Sequence, residues 1–231
     1  MFFLCLALTA PDAHAWQVRN NEQGLELSWR NRTISYQVDP ANDQDLSEAA
    51  VESMIAAGTR NWTTPVGDGL AFVNEGRAGG KIDPYDGKNI IHFEDHWAHD
   101  PSLVGLTFVW SRADGEIIGF DMALNTQDHD WSVDGADGKN DLLNTLSHEF
   151  GHAIGVDHSP EVEAATMYPS TFPGELSKRD LDRDDEHAVQ YLYEGPAAEA
   201  SAVQTGCATA GVAPTTAAWL IAWCILLGRR Y

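Results

Sequence analysis

The run His148-Glu149-Phe150-Gly151-His152-Ala153-Ile154-Gly155-Val156-Asp157-His158 places three histidines and a glutamate within eleven residues. His148 and His152 are four apart, so on a helix they project from one face about one turn apart and reach the same divalent ion. Glu149 falls beside the first of them, where its carboxylate can touch a water on the metal without binding the metal itself. Gly155 permits the left-handed backbone that ends a helix, and the reversal brings His158 back as a third ligand. Three imidazoles leave one position of a tetrahedral Zn²⁺ open, which separates a catalytic site from a closed structural one, and metal binding lowers the pKa of water from about 16 toward 7. The expected ligands are therefore His148, His152 and His158, and the expected general base is Glu149.

Outward from this run, Asp141 opens a helical pattern that extends to Ile154, and residues 181–193 form a second helix behind an acidic first turn. Upstream, residues 33–38 alternate as a half-buried strand and stop at Asp39-Pro40, and residues 46–62 carry apolar positions at helical spacing until Pro65. Residues 70–73 and 89–93 read as short strands on either side of a Gly-rich turn region. Residues 104–111 and 116–125 are β-like runs joined by Asp114-Gly115, a hairpin signal. Residues 127–139, rich in Asp and Gly, read as an exposed loop. Strands come first and most helical mass later, which gives an α+β class.

Over residues 30–194 the sequence resembles the metzincin zinc peptidases, and within them the matrixins. Ser159 directly follows the third histidine, as in matrixins, and Ala165-Thr166-Met167-Tyr168-Pro169 is similar to their Met-turn. Asp180-Leu181-Asp182-Arg183-Asp184-Asp185 leading to Tyr191-Leu192-Tyr193 resembles their closing helix. The resemblance implies a twisted mixed sheet, a long active-site helix, a Met-turn beneath the metal and a C-terminal helix, together with endopeptidase activity on an extended peptide. Met167 would support the ligand plane, Tyr168 is not a ligand, and residues 103–108 would be the edge strand that pairs with substrate by β-augmentation. Two departures stand out: the family's propeptide cysteine has no counterpart in residues 16–32, and its structural-zinc loop is not recognisable.

Two further metal sites are open on composition alone. His92, His96 and His99, with Asp95 and Asp100, have spacings of four and three that would suit a second Zn²⁺, or they form a solvated acidic loop. Asp128, Asp130, Asp134 and Asp137 offer the hard oxygens that suit Ca²⁺, or a plain charged loop. Two other functions share the principal ligand set: a surface-displayed binding module that uses zinc only for folding, and a zinc amidase of narrow substrate.

The ends read as addresses. Residues 2–10 are apolar and precede Ala13-His14-Ala15, a small-x-small pattern that predicts cleavage after Ala15, although the usual positive n-region is missing and a buried N-terminal segment is the alternative. Residues 16–32 then form an extension and 33–194 the catalytic domain, followed by a linker at 195–211. Residues 212–228 are largely apolar and end in Arg229-Arg230; seventeen helical residues reach about 25 Å, marginal for a membrane span. With Thr205-Gly206-Cys207 before it, this tail resembles myxobacterial C-terminal sorting signals, and a plain anchor is the alternative. The implied location is extracellular or anchored at the cell surface. Its 35 acidic against 14 basic residues, a net charge of −21, exclude nucleic acid as a partner. With cysteines only at 5, 207 and 224, no disulfide or cysteine-ligated metal is available between 16 and 206. A monomer is expected.

Overall fold

Strand β1 (Thr33–Asp39) turns Ile34, Tyr36 and Val38 into the core at every second position, as the alternating sequence requires. A computed structural model of the chain describes residues 15–79, 82–83, 86–194 and, as backbone, 219–227. Helix α1 (Glu48–Thr63) starts at Ser47, whose hydroxyl accepts from the Ala50 amide, and buries Val51, Ile55 and Trp62. Pro65 ends it by passing the chain into a short 3₁₀ turn, Thr64–Gly69.

The next strands are β2 (Ala71–Arg77), β3 (Ile90–Glu94), β4 (Leu103–Ser111) and β5 (Ile117–Asn125). β1 lies between β2 and β3 and is parallel to both, β3 is parallel to β5, and β4 is antiparallel to β5. The expected mixed sheet is thus present, with β4 and β5 joined at Gly115, whose φ of 86° suits glycine. A Cβ there would also meet the Glu26 carbonyl oxygen at 2.5 Å, so the hairpin tip doubles as a seat for the N-terminal segment.

Helix α2 (Leu142–Ala153) packs across the sheet and against α1. Gly58 allows the two helices to approach, since a Cβ at that position would lie 3.0 Å from the Phe150 ring. Trp62 Nε1 donates to the Ser147 carbonyl at 2.7 Å. Helix α3 (Arg183–Tyr193) begins with a capping box between Asp182 and Asp185 and ends at buried Tyr193, whose hydroxyl donates to the Ile154 carbonyl at 2.6 Å. Residues 16–32 are packed into the same core: Leu27 is fully buried, Trp29 Nε1 donates to the Ala153 carbonyl, and Val18 bridges to Val156.

Three expectations change. The loop at 127–139 is not simply exposed: Trp131 is fully buried and donates from Nε1 to the Asn125 carbonyl, and strand β6 (Trp131–Ser132) pairs with β7 (Asn140–Asp141). An apolar ring inside a polar stretch has anchored it. Strand β2 runs four residues beyond the expected 70–73, because backbone pairing to β1 carries it through polar Asn74, Glu75 and Arg77. In the C-terminal apolar stretch, Trp219–Leu227 is strand β9 and not part of a helix. It pairs antiparallel with β4 and parallel with the two-residue β8 (Ser170–Thr171), so the sheet reads β2-β1-β3-β5-β4-β9-β8. Among the described residues no helix is long and apolar enough to cross a membrane. The leader at 1–14 and the linker with its Cys207 motif lie outside the described residues.

Candidate metal and catalytic centre

Asp141 caps α2 by accepting from the Asn144 amide at 2.9 Å, and Arg179 holds the same carboxylate from Nε at 2.8 Å. The helix so fixed brings His148 and His152 side by side, with ring centroids 4.8 Å apart. Gly155 takes φ 94°, and a Cβ there would meet the Leu27 carbonyl oxygen at 2.2 Å, so only glycine fits this reversal. The chain turns back, and His158 Nε2 comes to 3.2 Å from Nε2 of both His148 and His152.

The outer ring nitrogens set the tautomers. His148 Nδ1 lies 2.7 Å from the Thr166 carbonyl oxygen and His152 Nδ1 lies 3.1 Å from that of Val156. A carbonyl can only accept, so in both rings Nδ1 carries the proton and Nε2 presents a lone pair to the centre. Zinc–nitrogen bonds of about 2.0–2.1 Å place tetrahedral ligands about 3.3 Å apart, close to the observed spacing. Burial, and then the neighbouring histidines, hold His148 and His152 well below the ordinary imidazole range. Burial, followed by the Arg19 charge, takes His158 down to about 4. Neutral rings are what metal binding requires, and the donor set fits zinc. Among the described residues this is the one grouping of three or more metal-ligating side chains.

Glu149 is fully buried beneath β4. Its Oε2 accepts from the Thr107 hydroxyl at 2.5 Å, while Oε1 has no hydrogen-bond partner among the described residues. Gly105 leaves room beside it, since a Cβ there would stand 2.9 Å from Oε1. Burial pushes the Glu149 carboxyl up to about 8, against the lowering effects of the Thr107 hydrogen bond and the Arg19 charge. A cation at the three histidines supplies the further positive charge that an ionised carboxylate needs there.

Met167 lies under α2, fully buried, where a Cβ on Gly151 would meet its Sδ at 2.3 Å. Its turn is held by Asp185, which accepts from the Met167 amide at 3.0 Å and the Thr166 amide at 2.7 Å. Ser159 donates its hydroxyl proton to Asp184, whose other oxygen accepts from the Trp16 amide at 3.0 Å. Beside the turn, Lys178 Nζ lies 5.2 Å from the centre of the Tyr168 ring.

The other histidines do not converge. His92 is buried on β3 with Nδ1 3.1 Å from the Phe93 carbonyl oxygen. His99 packs against Trp97 and Phe108, at ring separations of 5.2 and 5.7 Å. Asp128, Asp130, Asp134 and Asp137 do not group as three ligands either. The second zinc and the calcium site are therefore not gathered by this geometry.

Sequence reading missed Thr107, Gly105, Arg19 and Asp185. Thr107 left a trace, a lone hydroxyl in the apolar run Leu106-Thr107-Phe108-Val109 on a strand that packs over α2. The others show only through long-range contacts.

The matrixin family model matches residues 28–194. Interstitial collagenase of Bos taurus is 30% identical over 170 residues, covering 73% of this chain and 33% of its own length. Stromelysin-3 of Xenopus laevis is 30% identical over 190 residues, covering 77% of this chain and 35% of its own. Matrilysin of Rattus norvegicus is 29% identical over 169 residues, covering 71% and 58%. The chain thus spans about a third of the length of the first two relatives. A family match over residues 28–194, a span that contains the histidine centre, means that this protein belongs to the matrixin family.

Proposed function

We propose that the domain is a zinc-dependent endopeptidase that acts on extended protein chains. The observation that carries this reading is the convergence of three Nε2 atoms from His148, His152 and His158 beside a buried Glu149, one oxygen of which has no hydrogen-bond partner among the described residues. Zinc held there by His148, His152 and His158 would supply Lewis acidity toward a carbonyl and a water. Glu149 takes the proton of the attacking water on Oε1 and returns it to the departing amine, while Thr107 fixes Oε2 and so aims the free oxygen. Met167 and Gly155 act on the ligands' position and not on the substrate. The edge of β4 receives the peptide backbone.

The family membership and the relatives named as collagenase, stromelysin and matrilysin favour proteolysis over a binding module or a narrow amidase. Export through the leader, an extracellular place of action and surface attachment through the tail belong to the same proposal. The test is hydrolysis of a denatured protein mixture by the purified protein with zinc, beside Glu149→Ala and a chelator. Cleavage lost in both controls supports the reading. Bound zinc in a 1:1 ratio with no cleavage of any chain, both by the full chain and by a form cut between residues 195 and 211, refutes it.

A further inference from the structure

β4 is the sheet edge on which a peptide would be cut, yet that edge is taken. β9 pairs with it from Ser111 opposite Trp219 to Leu106 opposite Cys224 and again at Leu103 opposite Leu226, with an irregularity in register between Leu103 and Leu106. All nine residues of β4 are buried. A strand has one row of amides and carbonyls on each side; β5 lies along one row and β9 along the other, so an incoming peptide finds the edge already occupied by a strand.

The position of β9 along the edge matters as much as its presence. Cys224 to Leu226 run beside Leu106 to Leu103, the part of β4 that carries Gly105 against Glu149. Leu226 and Leu227 then pair in parallel with Ser170 and Thr171, three and four residues past Met167. The segment therefore spans the strand above the catalytic carboxylate and the strand beyond the Met-turn, antiparallel to the first and parallel to the second.

Resting on the proposed endopeptidase reading, we infer that the C-terminal segment Trp219–Leu227 is an internal occupant of the substrate edge and keeps the full chain latent until it leaves. Its composition suits the task. Trp219-Leu220-Ile221-Ala222-Trp223-Cys224-Ile225-Leu226-Leu227 has no charged residue and is rich in strand formers, so water is a poor place for it. Attachment to the same chain makes docking intramolecular, with effective concentrations on the order of millimolar for tethered partners. The segment that reads as a membrane anchor is thus the one that fills the edge. It cannot do both at once, so insertion into a membrane, or cutting of the chain before Trp219, opens the site.

The test compares the full chain with a variant carrying Ile221→Pro and Ala222→Pro. Successive amides of a strand point to opposite sides, so one of these two must face β4, and proline removes both. A control with Ile221→Val and Ala222→Val keeps the amides. A third form carries a specific protease site between residues 195 and 211 and is cut after folding. Amide exchange at β4 is read first. The full chain and the valine control should exchange the β4 amides that face away from β5 about tenfold or more slowly than the proline variant.

On a denatured protein mixture with zinc, the proline variant and the cut form should hydrolyse about tenfold or more faster than the full chain, at unchanged zinc content. Equal β4 exchange in the full chain and the proline variant overturns the occupancy. Protected amides with equal hydrolysis in every form overturn the latency. If no form hydrolyses anything, the endopeptidase reading falls and the latency with it, while protection removed by the prolines still establishes the occupant.

Discussion

Two groups of three histidines sit on this chain, and among the described residues only one of them converges. His92, His96 and His99 are spaced four and three apart, His148, His152 and His158 four and six. By spacing alone the first group is the tighter. In space His92 lies in a strand, His99 packs on Trp97 and Phe108, and the group is dispersed. The second group has a helix to set the phase of its first pair and a glycine turn to return the third. It also has carbonyls of Thr166 and Val156 to fix which nitrogen faces the centre. Local spacing proposes ligands; backbone phase and the atoms behind the rings decide among them.

The largest effect expected within the real site is on chemistry. Glu149→Ala should keep zinc and fold but lower peptide hydrolysis by about 10²–10⁴-fold, the range for a general acid or base, as read by kcat/KM beside zinc stoichiometry. Near-wild-type turnover would mean that the convergence is a metal site without this base. Next comes His158→Ala, which leaves two ligands on one helix face. The protein should lose its zinc on dialysis and its hydrolysis with it, measured by metal analysis of the dialysed protein. Retention of one zinc per chain would show that the turn at Gly155 is not what completes the site.

Gly155→Ala examines that turn directly. A side chain at φ 94° and 2.2 Å from the Leu27 carbonyl must displace the N-terminal segment or the turn. The expected loss is about 2 kcal/mol or more of stability, with weaker zinc binding, in denaturant unfolding with and without zinc. Unchanged stability would mean that the turn relaxes freely and that its geometry carries less than the contact distances imply. Asp185→Ala comes next. It removes the acceptor for the Thr166 and Met167 amides and should cost about 1–3 kcal/mol, with hydrolysis falling less than stability.

These variants also mark what the sequence could and could not disclose. The α2 motif, the β4–β5 hairpin and the helix start at Asp141 were legible because each depends on residues within a few positions of one another. Thr107 against Glu149 joins positions 42 apart, and Asp185 under Thr166 joins positions 19 apart; such pairs follow from packing, not from periodicity. Trp131 was hidden by its polar neighbours, although it is a core residue. The strand at Trp219–Leu227 was hidden by ambiguity. A continuous apolar run reads equally as helix or buried strand, and only the vacant row of β4 decides between them.

The smallest expected effect bears on the dispersed group. A chain carrying His96→Ala and His99→Ala should bind the same single zinc and hydrolyse at the wild-type rate. Neither ring belongs to the grouping that can hold a metal, and His96 is exposed. Its stability should move only by the loss of the His99 contacts with Trp97 and Phe108, within about 1 kcal/mol. The measurement is metal content after dialysis against buffered zinc, compared with wild type in the same vessel. If wild type holds two zinc ions and the variant one, then these three histidines gather on binding, and the metal itself would supply the convergence that helix phase supplies at His148 and His152. If both hold one, the contrast stands as a matter of backbone: the same residue type at similar spacing becomes a site only where the fold has already aimed it.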